Sequence, residues 1–192
     1  MNPYDLIVIG GGVNGAGIAR DAAMRGLSTL LLEKYDFAAA TTGASSGMIH
    51  GGLRYLQRDV GTTALSCLDS GYIQKIAPHL LFRIPFLYPV RDFGPAARVM
   101  IELVETYFSI YDRYQPLKNG RPHVRLSRQE CLEIEPGLNP DIVGGVSMDE
   151  YGIDPYRLVV ANAVSAHEAG ATVMNHTEVT DFVKEGGRVV GV

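Results

Sequence analysis

Residues 5–15 read DLIVIGGGVNG, the pattern of a strand that runs into a glycine-rich turn. Tyr4 to Ile9 is apolar and rich in β-branched residues, which predicts a short buried strand. Gly10, Gly12 and Gly15 then complete a G-x-G-x-x-G motif. The first glycine permits the sharp turn, the second lets the backbone approach a pyrophosphate, and the third lets a helix pack closely on the strand. We expect that helix from Val13 to Arg25, with its free N–H groups directed at phosphates.

Glu33 follows a second apolar strand, predicted from Ser28 to Leu32. At this distance from the glycine motif, a carboxylate accepts hydrogen bonds from ribose hydroxyls, and its charge repels a ribose 2′-phosphate. The unit therefore predicts a dinucleotide other than NADP. The motif alone leaves NAD and FAD as alternatives.

Composition indicates an ordinary globular protein. Of 192 residues, 46% are hydrophobic and 20% charged, and the net charge of −4 gives no reason to expect nucleic-acid binding. No basic segment followed by an apolar one begins the chain, and no run approaches the ~20 apolar residues of a membrane span. We therefore expect a soluble or peripheral protein without a signal peptide. Cys67 and Cys131 lack metal-type spacing, so we expect two buried free thiols and no metal site.

Residues 34–59 read KYDFAAATTGASSGMIHGGLRYLQRD and are dense in Ala, Gly, Ser and Thr. Small residues let a large flat ligand lie against the backbone, and hydroxyl groups bind phosphate or the polar atoms of a ring. Because this stretch directly follows the dinucleotide unit, it points to a cofactor larger than NAD. A small-residue loop packed on a sheet is the alternative.

The rest of the chain predicts alternating helices and strands. Thr62 or Thr63 is the predicted N-cap of a helix that runs to Ala77, and we expect this helix to have an apolar face. A stripe from Met100 to Tyr111 fits core or interdomain packing better than a membrane-surface helix, because its polar face lacks a basic excess. The expected apolar face of the helix ending at Ala77 is Leu65, Leu68, Tyr72 and Ile76. The other predicted elements are a strand-like stretch over 84–90, which its prolines confine to a sheet edge or an irregular segment, a helix starting at Pro95, a capping box at Ser127 and Glu130, a strand over 143–148, a helix capped by Asp154, a strand over 171–175 and a hairpin over 178–192.

The final predicted strand runs to Val192 without a turn, cap or polar tail. Chains seldom end inside an apolar strand that needs a partner, so we expect the sequence to be part of a longer protein. On that expectation, this chain alone does not complete a catalytic cycle.

A resemblance to a known family rests on three stretches. Residues 40–56, ATTGASSGMIHGGLRYL, resemble the FAD-dependent glycerol-3-phosphate dehydrogenases, with the glycerophosphate oxidases close by. The resemblance also covers DLIVIGGGVNGAGIARDAAMRGLSTLLLEK at 5–34 and GIDPYRLVVANAVSAHEAGATVMNHTEV at 152–179. Residues 79–125 contribute little to it.

The resemblance implies a Rossmann-like FAD-binding domain of the glutathione-reductase/D-amino-acid-oxidase type. This α/β domain would be discontinuous, formed by residues 1–75 and 150–192. Residues 76–149 would be an insertion that begins the substrate domain.

The same resemblance implies which residues contact FAD. The glycine motif with Glu33 would hold the ADP moiety, and the polar loop would lie along the pyrophosphate, ribityl chain and isoalloxazine. Val179, on the strand after the Asp154 helix, would pass beside the adenine. Dehydrogenase members often carry lysine where this chain has Gly47, whereas oxidase-like members have glycine, so the electron acceptor stays open. The implied cofactor contacts are Gly10, Gly11, Gly12, Asn14, Gly15, Glu33, Lys34, Thr41, Thr42, Ser45, Ser46, Met48, Ile49, Gly51 and Val179.

By resemblance the reaction is oxidation of sn-glycerol 3-phosphate to dihydroxyacetone phosphate, with electrons passed to quinone or oxygen. His50 is the candidate base near the flavin. Arg54 offers a planar donor fork to the substrate phosphate, and Tyr55 would line the same pocket. We further expect a cytoplasmic enzyme, peripheral on the inner face of the cytoplasmic membrane, with homodimer formation left open.

Three alternatives remain at this point. A related flavin oxidase would act on an amine or a 2-hydroxy acid, although Arg54 argues against it. A non-catalytic FAD-binding fragment would be yellow but inactive. An NAD-dependent dehydrogenase is disfavoured because no second βαβ unit follows Glu33.

Overall fold

The strand and helix on either side of the glycine motif form as predicted. In the computed structural model, which describes residues 3–192, β1 spans Leu6–Ile9, α1 spans Val13–Met24 and β2 spans Thr29–Leu32. β1 and β2 pair in parallel, with Leu6 opposite Thr29. Such strands are near-continuous apolar runs because helices cover parallel sheets.

The remaining elements alternate along the chain. In order they are α2 (Val60–Ile76), β3 (Leu81–Arg91), α3 (Pro95–Tyr111), β4 (Val124–Ser127), α4 (Arg128–Ile134), β5 (Ile142–Ile153), α5 (Pro155–Glu168), β6 (Thr172–Met174), β7 (Val183–Glu185) and β8 (Arg188–Gly191). Short 3₁₀ helices form at Leu53–Tyr55, Pro78–Leu80 and Asp112–Lys118.

The chain divides into two compact units. Unit 1 comprises Met1–Gly47 and Asp154–Val192, and unit 2 comprises Met48–Ile153. A discontinuous first unit interrupted by an insertion was expected, but the compact units divide at different residues from the predicted 75 and 150. Residues 48–75, expected with the cofactor domain, fold within unit 2.

Unit 1 is built on a parallel sheet in the order β1-β2-β6. Small side chains let α1 lie close to its neighbours: Ala16 and Ala19 are fully buried, in one core cluster with Leu31 and Val159. α5 begins as predicted, with Asp154 accepting a hydrogen bond from the Arg157 backbone N–H and a proline in the first turn. β7 and β8 pair as the predicted hairpin, and both glycines of its turn have positive φ.

Unit 2 is built on an antiparallel sheet in the order β3-β5-β4. β5 is the central strand. It is longer than predicted because its residues 149–153 continue to pair with the first part of β3. β3 is an edge strand, which is where Pro85 and Pro89 can be accommodated. The capping box of Ser127 and Glu130 forms as predicted at the start of α4.

The predicted apolar face of α2 is wrong. Leu65, Tyr72 and Ile76 are exposed, whereas the buried positions are Thr63, Cys67, Ser70 and Gly71. The predicted caps are also wrong, since the N-cap of α2 is Asp59. Its carboxylate accepts hydrogen bonds from the Thr62 hydroxyl and backbone N–H, which hold the Asp59 pKa below its usual value.

The stripe predicted on α3 is divided between core and surface. Val104, Tyr107, Phe108 and Tyr111 pack into a core cluster of unit 2, whereas Met100 and Leu103 are exposed. Among residues 3–192, no helix has both the length and the apolar character needed to cross a bilayer.

Gly15 and Gly17 provide a matched test of the packing of α1. A Cβ on Gly15 would lie 1.9 Å from the Gly10 carbonyl oxygen, whereas a Cβ on Gly17 would meet nothing within 4 Å. We expect Gly15→Ala to lower the free energy of unfolding by at least about 2 kcal/mol. Gly17→Ala should raise it by about 0.5–1 kcal/mol, because alanine loses less entropy in a helix. Urea denaturation measures both, and equal effects would contradict the close approach.

Candidate functional site

The glycine turn is tied to the end of β2 by Glu33. The Gly11 backbone N–H donates to Glu33 Oε2 at 2.6 Å, and the Tyr35 N–H donates to Oε1 at 2.8 Å. A Cβ on Gly11 would lie 2.5 Å from the Phe37 ring. The carboxylate predicted to meet a ribose therefore lies directly against the turn predicted to meet a pyrophosphate.

The loop after β2 packs on the same turn. The Ala38 N–H donates to the Gly11 carbonyl at 3.0 Å, and the Val13 N–H donates to Thr42 Oγ1 at 3.1 Å. A Cβ on Gly12 would lie 3.2 Å from that Thr42 oxygen. The first turn of α1 contains no acidic residue, so the positive end of the helix dipole is not neutralised within the helix. The structure thus brings Thr42 to the α1 N-terminus.

The other predicted site residues of unit 1 make fewer contacts with the glycine turn. Thr41, Ser45 and Ser46 are exposed, and Ser45 accepts from the Gly47 N–H. The Lys34 ammonium lies 4.6 Å from the centre of the Tyr35 ring. The expectation that Val179 lies on a strand is wrong: it falls in the irregular stretch between β6 and β7.

The segment Ile49–Gly52 follows the edge of the sheet in unit 2. Met48 forms an isolated antiparallel bridge with Gly152, and the Ile49 N–H donates to the Tyr151 carbonyl at 3.0 Å. Both contacts use the last residues of β5. A part of the segment expected to serve the cofactor and the substrate is therefore anchored to a central strand.

Side chains of α2 hold the other edge of this segment. Ser70 donates to the Ile49 carbonyl at 2.7 Å, Cys67 to the Gly51 carbonyl at 3.5 Å and Thr63 to the Gly52 carbonyl at 3.3 Å. Their spacing places all three donors on one helix face. Buried carbonyl groups need such partners, which explains why the buried face of α2 is polar.

A buried polar cluster lies under Gly51. Lys118 Nζ forms an ion pair with Glu150 Oε2 at 2.6 Å, and both side chains are at most 4% exposed. The Tyr111 hydroxyl donates to Glu150 Oε1 at 2.8 Å, and the Gly51 N–H donates to Oε2 at 3.4 Å. Burial raises the pKa of Tyr111, and that of the neighbouring Cys67 thiol, above their ordinary values.

His50 bends back on the segment that carries it. The Gly52 N–H donates to His50 Nδ1 at 3.0 Å. Since Nδ1 accepts a hydrogen bond, the proton of the neutral imidazole is assigned to Nε2. In this conformation His50 presents a donor at Nε2.

Arg54 and Tyr55 lie on the 3₁₀ turn that follows. Arg54 is exposed; its Nη2 donates to the Tyr55 hydroxyl at 3.0 Å, and the guanidinium lies 5.0 Å from the centre of that ring. The Leu53 carbonyl accepts from Tyr107 of α3. The turn is thus anchored while the fork of Arg54 remains accessible.

The sequence reasoning missed the residues that support the site. Thr63, Cys67 and Ser70 have helical spacing, a signal that the apolar residues beside them obscured. Glu150 and Lys118 are distant in the chain, and no local pattern pairs them. Their partnership depends on β5 and the turn after α3 meeting in space.

A groove in unit 2 lies away from these residues. It has a volume of about 1040 Å³ and lies in unit 2, between the start of α3 and β4, with Arg98 and Arg125 in its lining. It contains none of the predicted site residues. Within residues 3–192, no group of three or more His, Cys, Asp or Glu residues is arranged to hold a metal ion.

The two cysteines are free and buried, as predicted. Cys67 belongs to the cluster under Gly51, and Cys131 to a separate core cluster with Leu126 and Ile142. Burial raises the pKa of both thiols.

Two curated proteins are similar to this chain over nearly its whole length. The chain is 40% identical over 189 residues to anaerobic glycerol-3-phosphate dehydrogenase subunit A1 of Haloferax volcanii, covering 97% of this chain and 30% of the relative. It is 37% identical over 193 residues to the alpha-glycerophosphate oxidase of Streptococcus pneumoniae, covering 98% and 31%. The chain therefore spans about a third of the length of these curated relatives.

A solved structure has the same fold. The glycerol-3-phosphate dehydrogenase of Bacillus halodurans, determined with FAD, superposes with a TM-score of 0.69 at 29% identity and covers 98% of this chain and 29% of that one. The expected Rossmann-like α/β fold is thereby confirmed. The family model described as FAD dependent oxidoreductase matches residues 5–192. The chain belongs to this family of FAD-dependent oxidoreductases.

Proposed function

We propose that unit 1 binds the ADP moiety of FAD. The observation that supports this is the glycine turn itself, where Cβ atoms on Gly11, Gly12 or Gly15 would meet neighbouring atoms within 3.2 Å. Gly12, the N-cap residue of α1, has no side chain to cap the helix, and Thr42 Oγ1 accepts from the Val13 N–H. A pyrophosphate at this helix start would gain from the remaining free N–H groups and from the helix dipole. Glu33 stands beside the turn as the acceptor for ribose hydroxyls.

The polar loop would continue the cofactor site. Thr42 already supplies an oxygen at the α1 N-terminus, and Thr41, Ser45 and Ser46 present accessible hydroxyls. As the resemblance implies, we propose that residues 1–75 and 150–192 serve the cofactor and that residues 76–149 begin the substrate domain. Bound FAD would supply a two-electron acceptor for an alcohol oxidation.

The proposed reaction oxidises sn-glycerol 3-phosphate to dihydroxyacetone phosphate. The observation that carries this is the accessible Arg54 fork on an anchored turn, beside His50, in a chain whose relatives are glycerol-3-phosphate dehydrogenases and alpha-glycerophosphate oxidases. A guanidinium binds a phosphate dianion in bidentate fashion. Tyr55 orients that guanidinium by accepting one of its hydrogen bonds.

His50 is proposed to act on the substrate hydroxyl. With Nδ1 engaged by Gly52, the ring offers an Nε2–H that holds the oxygen and orients the carbon to be oxidised. To act as the base, the ring would have to release the Gly52 N–H so that Nε2 becomes the acceptor. Loss of the hydroxyl proton to His50 therefore requires the imidazole to turn away from the Gly52 N–H.

Our proposals for the electron acceptor, for membrane contact and for dimer formation rest on the resemblance. Gly47 resembles the oxidase-like members, for which oxygen is the acceptor, and the dehydrogenases pass electrons to quinone. Quinone reduction would require contact with the inner face of the cytoplasmic membrane by a cytoplasmic protein. A homodimer is also compatible with this proposal.

Absorbance spectroscopy tests the cofactor and the substrate together. The intact protein carrying this sequence, reconstituted with FAD, should show a flavin band that bleaches when glycerol 3-phosphate is added without oxygen. An amine and a 2-hydroxy acid serve as control substrates. Bleaching only by a control substrate, or a yellow protein that no substrate bleaches, would contradict the proposed reaction.

Arg54→Met tests the phosphate contact. Loss of a charge-assisted hydrogen-bonded pair costs about 1.5–3 kcal/mol, so KM for glycerol 3-phosphate should rise about 10- to 100-fold. The matched control is Arg58→Met, which removes another exposed arginine from the same segment. Steady-state kinetics measure both. An unchanged KM in the Arg54 variant would remove this residue from the phosphate site.

His50→Gln and His50→Ala distinguish a donor from a base. A glutamine amide can replace the Nε2–H donor but cannot accept a proton near neutral pH. If His50 is a donor, His50→Gln should keep kcat within about 10-fold of the wild type while His50→Ala loses more. Equal losses of about 100-fold or more, with a changed pH profile of kcat/KM, would instead identify His50 as the base.

A further inference from the structure

The buried cluster of Lys118, Glu150 and Tyr111 has no part in the proposed binding of cofactor or substrate. All three side chains are buried. Removing an ion pair from water is costly, and the attraction repays it only when further hydrogen bonds satisfy the remaining atoms. The groups that supply these additional hydrogen bonds therefore indicate the role of the cluster.

The hydrogen bonds of the cluster extend to the Gly51 backbone N–H. Glu150 Oε1 accepts from Tyr111, and Oε2 accepts from Lys118 and from the Gly51 N–H. Lys118 also donates to the Tyr111 hydroxyl at 3.2 Å. The Gly51 N–H is thus a backbone group that Glu150 holds, and the Cys67 thiol also lies beside the Tyr111 hydroxyl.

Close packing holds Gly51 in the same place. A Cβ on Gly51 would lie 2.1 Å from the Tyr111 hydroxyl oxygen and 2.5 Å from Cys67 Sγ. The neighbouring carbonyls of Ile49 and Gly52 are held by α2. The residue between His50 and Gly52 is therefore fixed on both edges, and Arg54 follows on the next turn.

We propose that Glu150 is a positioning residue that fixes the segment from Ile49 to Tyr55 through the Gly51 N–H. Lys118 and Tyr111 hold the Glu150 carboxylate in place for this role. The consequence for catalysis, which is correct placement of His50 and Arg54, rests on the proposed function. The anchoring of the segment itself does not.

Glu150→Gln tests the anchoring, with Asp149→Asn as its control. A glutamine has one acceptor oxygen where Glu150 uses two, so Tyr111 and Gly51 can no longer donate to separate oxygens of this side chain. Asp149 is the neighbouring carboxylate on β5 and is also ion-paired, to the exposed Arg83 at 2.7 Å. Both substitutions remove one charge from one strand, but only the first lies under Gly51.

Thiol labelling reports whether the segment opens. Cys67 donates to Gly51, whereas Cys131 lies in a separate core cluster and reports on opening elsewhere. Glu150→Gln should speed labelling of Cys67 about 10-fold or more with Cys131 unchanged, and Asp149→Asn should change neither. Equal acceleration at both thiols, or none at Cys67, would overturn the proposal.

A double variant separates positioning from stability. Lys118→Met with Glu150→Gln leaves no unpaired charge in the cluster, so it should resist urea better than Glu150→Gln alone. Cys67 should still label about 10-fold faster than in the wild type, because Gly51 has lost its carboxylate. Slow labelling of Cys67 in the double variant would show that only charge balance matters. If Glu150→Gln alone does not fold, the double variant tests the anchoring in its place.

Kinetics on the intact FAD-loaded protein test the catalytic consequence. Glu150→Gln should lower kcat/KM for glycerol 3-phosphate about 10-fold or more, while Asp149→Asn stays within about twofold. Fast Cys67 labelling with unchanged kinetics would overturn the positioning role. Failure of glycerol 3-phosphate to bleach the wild-type flavin would defeat the proposed function instead, and would leave the labelling result intact.

Discussion

The ion pair of Lys118 and Glu150 imposes the strictest requirement on unit 2. Two charges removed from water need nearly complete hydrogen bonding, and in this unit the bonds come from Tyr111 and the Gly51 backbone. To meet that requirement, the central strand β5, helix α3 and the turn after it must converge at one place. The segment that carries His50 and Arg54 is drawn into the same convergence. Residues 49–52, which have no regular structure and are proposed to serve the site, are thereby held by hydrogen bonds with β5 and α2.

In unit 1, small residues allow helix α1 to pack closely on the sheet. Its helix α1 must approach β1 closely enough to leave a bare backbone at the turn, and Gly15 permits this where any side chain would meet the Gly10 carbonyl. Alanines continue the close packing along the helix. Glu33 then occupies the end of β2, beside the turn, because the parallel register of β1 and β2 brings both strand ends together. The glycine turn and the adjacent carboxylate, which are proposed to bind a nucleotide, therefore arise from one packing arrangement.

Local patterns predicted much of this fold. The glycine turn, α1, the capping box at Ser127, the Asp154 cap and the edge position of β3 all depend on short-range chemistry, and the structure confirms each. The predicted buried face of α2 is wrong because the prediction assumes that the hydrophobic side chains of this helix are the buried ones. The face that is buried instead supplies hydroxyl and thiol donors to carbonyl groups of Ile49–Gly52, and such a need becomes visible only when the two segments are seen together.

The sequence by itself determined the strand–turn–helix unit, the acid at the end of β2 and the motif carrying His50 and Arg54, because each of these depends on residues near one another in the chain. Only the tertiary structure decided that Glu150 and Lys118 are partners, that Gly51 is their backbone contact, and that His50 bends back on Gly52. These contacts join distant parts of the chain or depend on a side-chain rotamer. Desolvation and close packing select them only after the elements have come together.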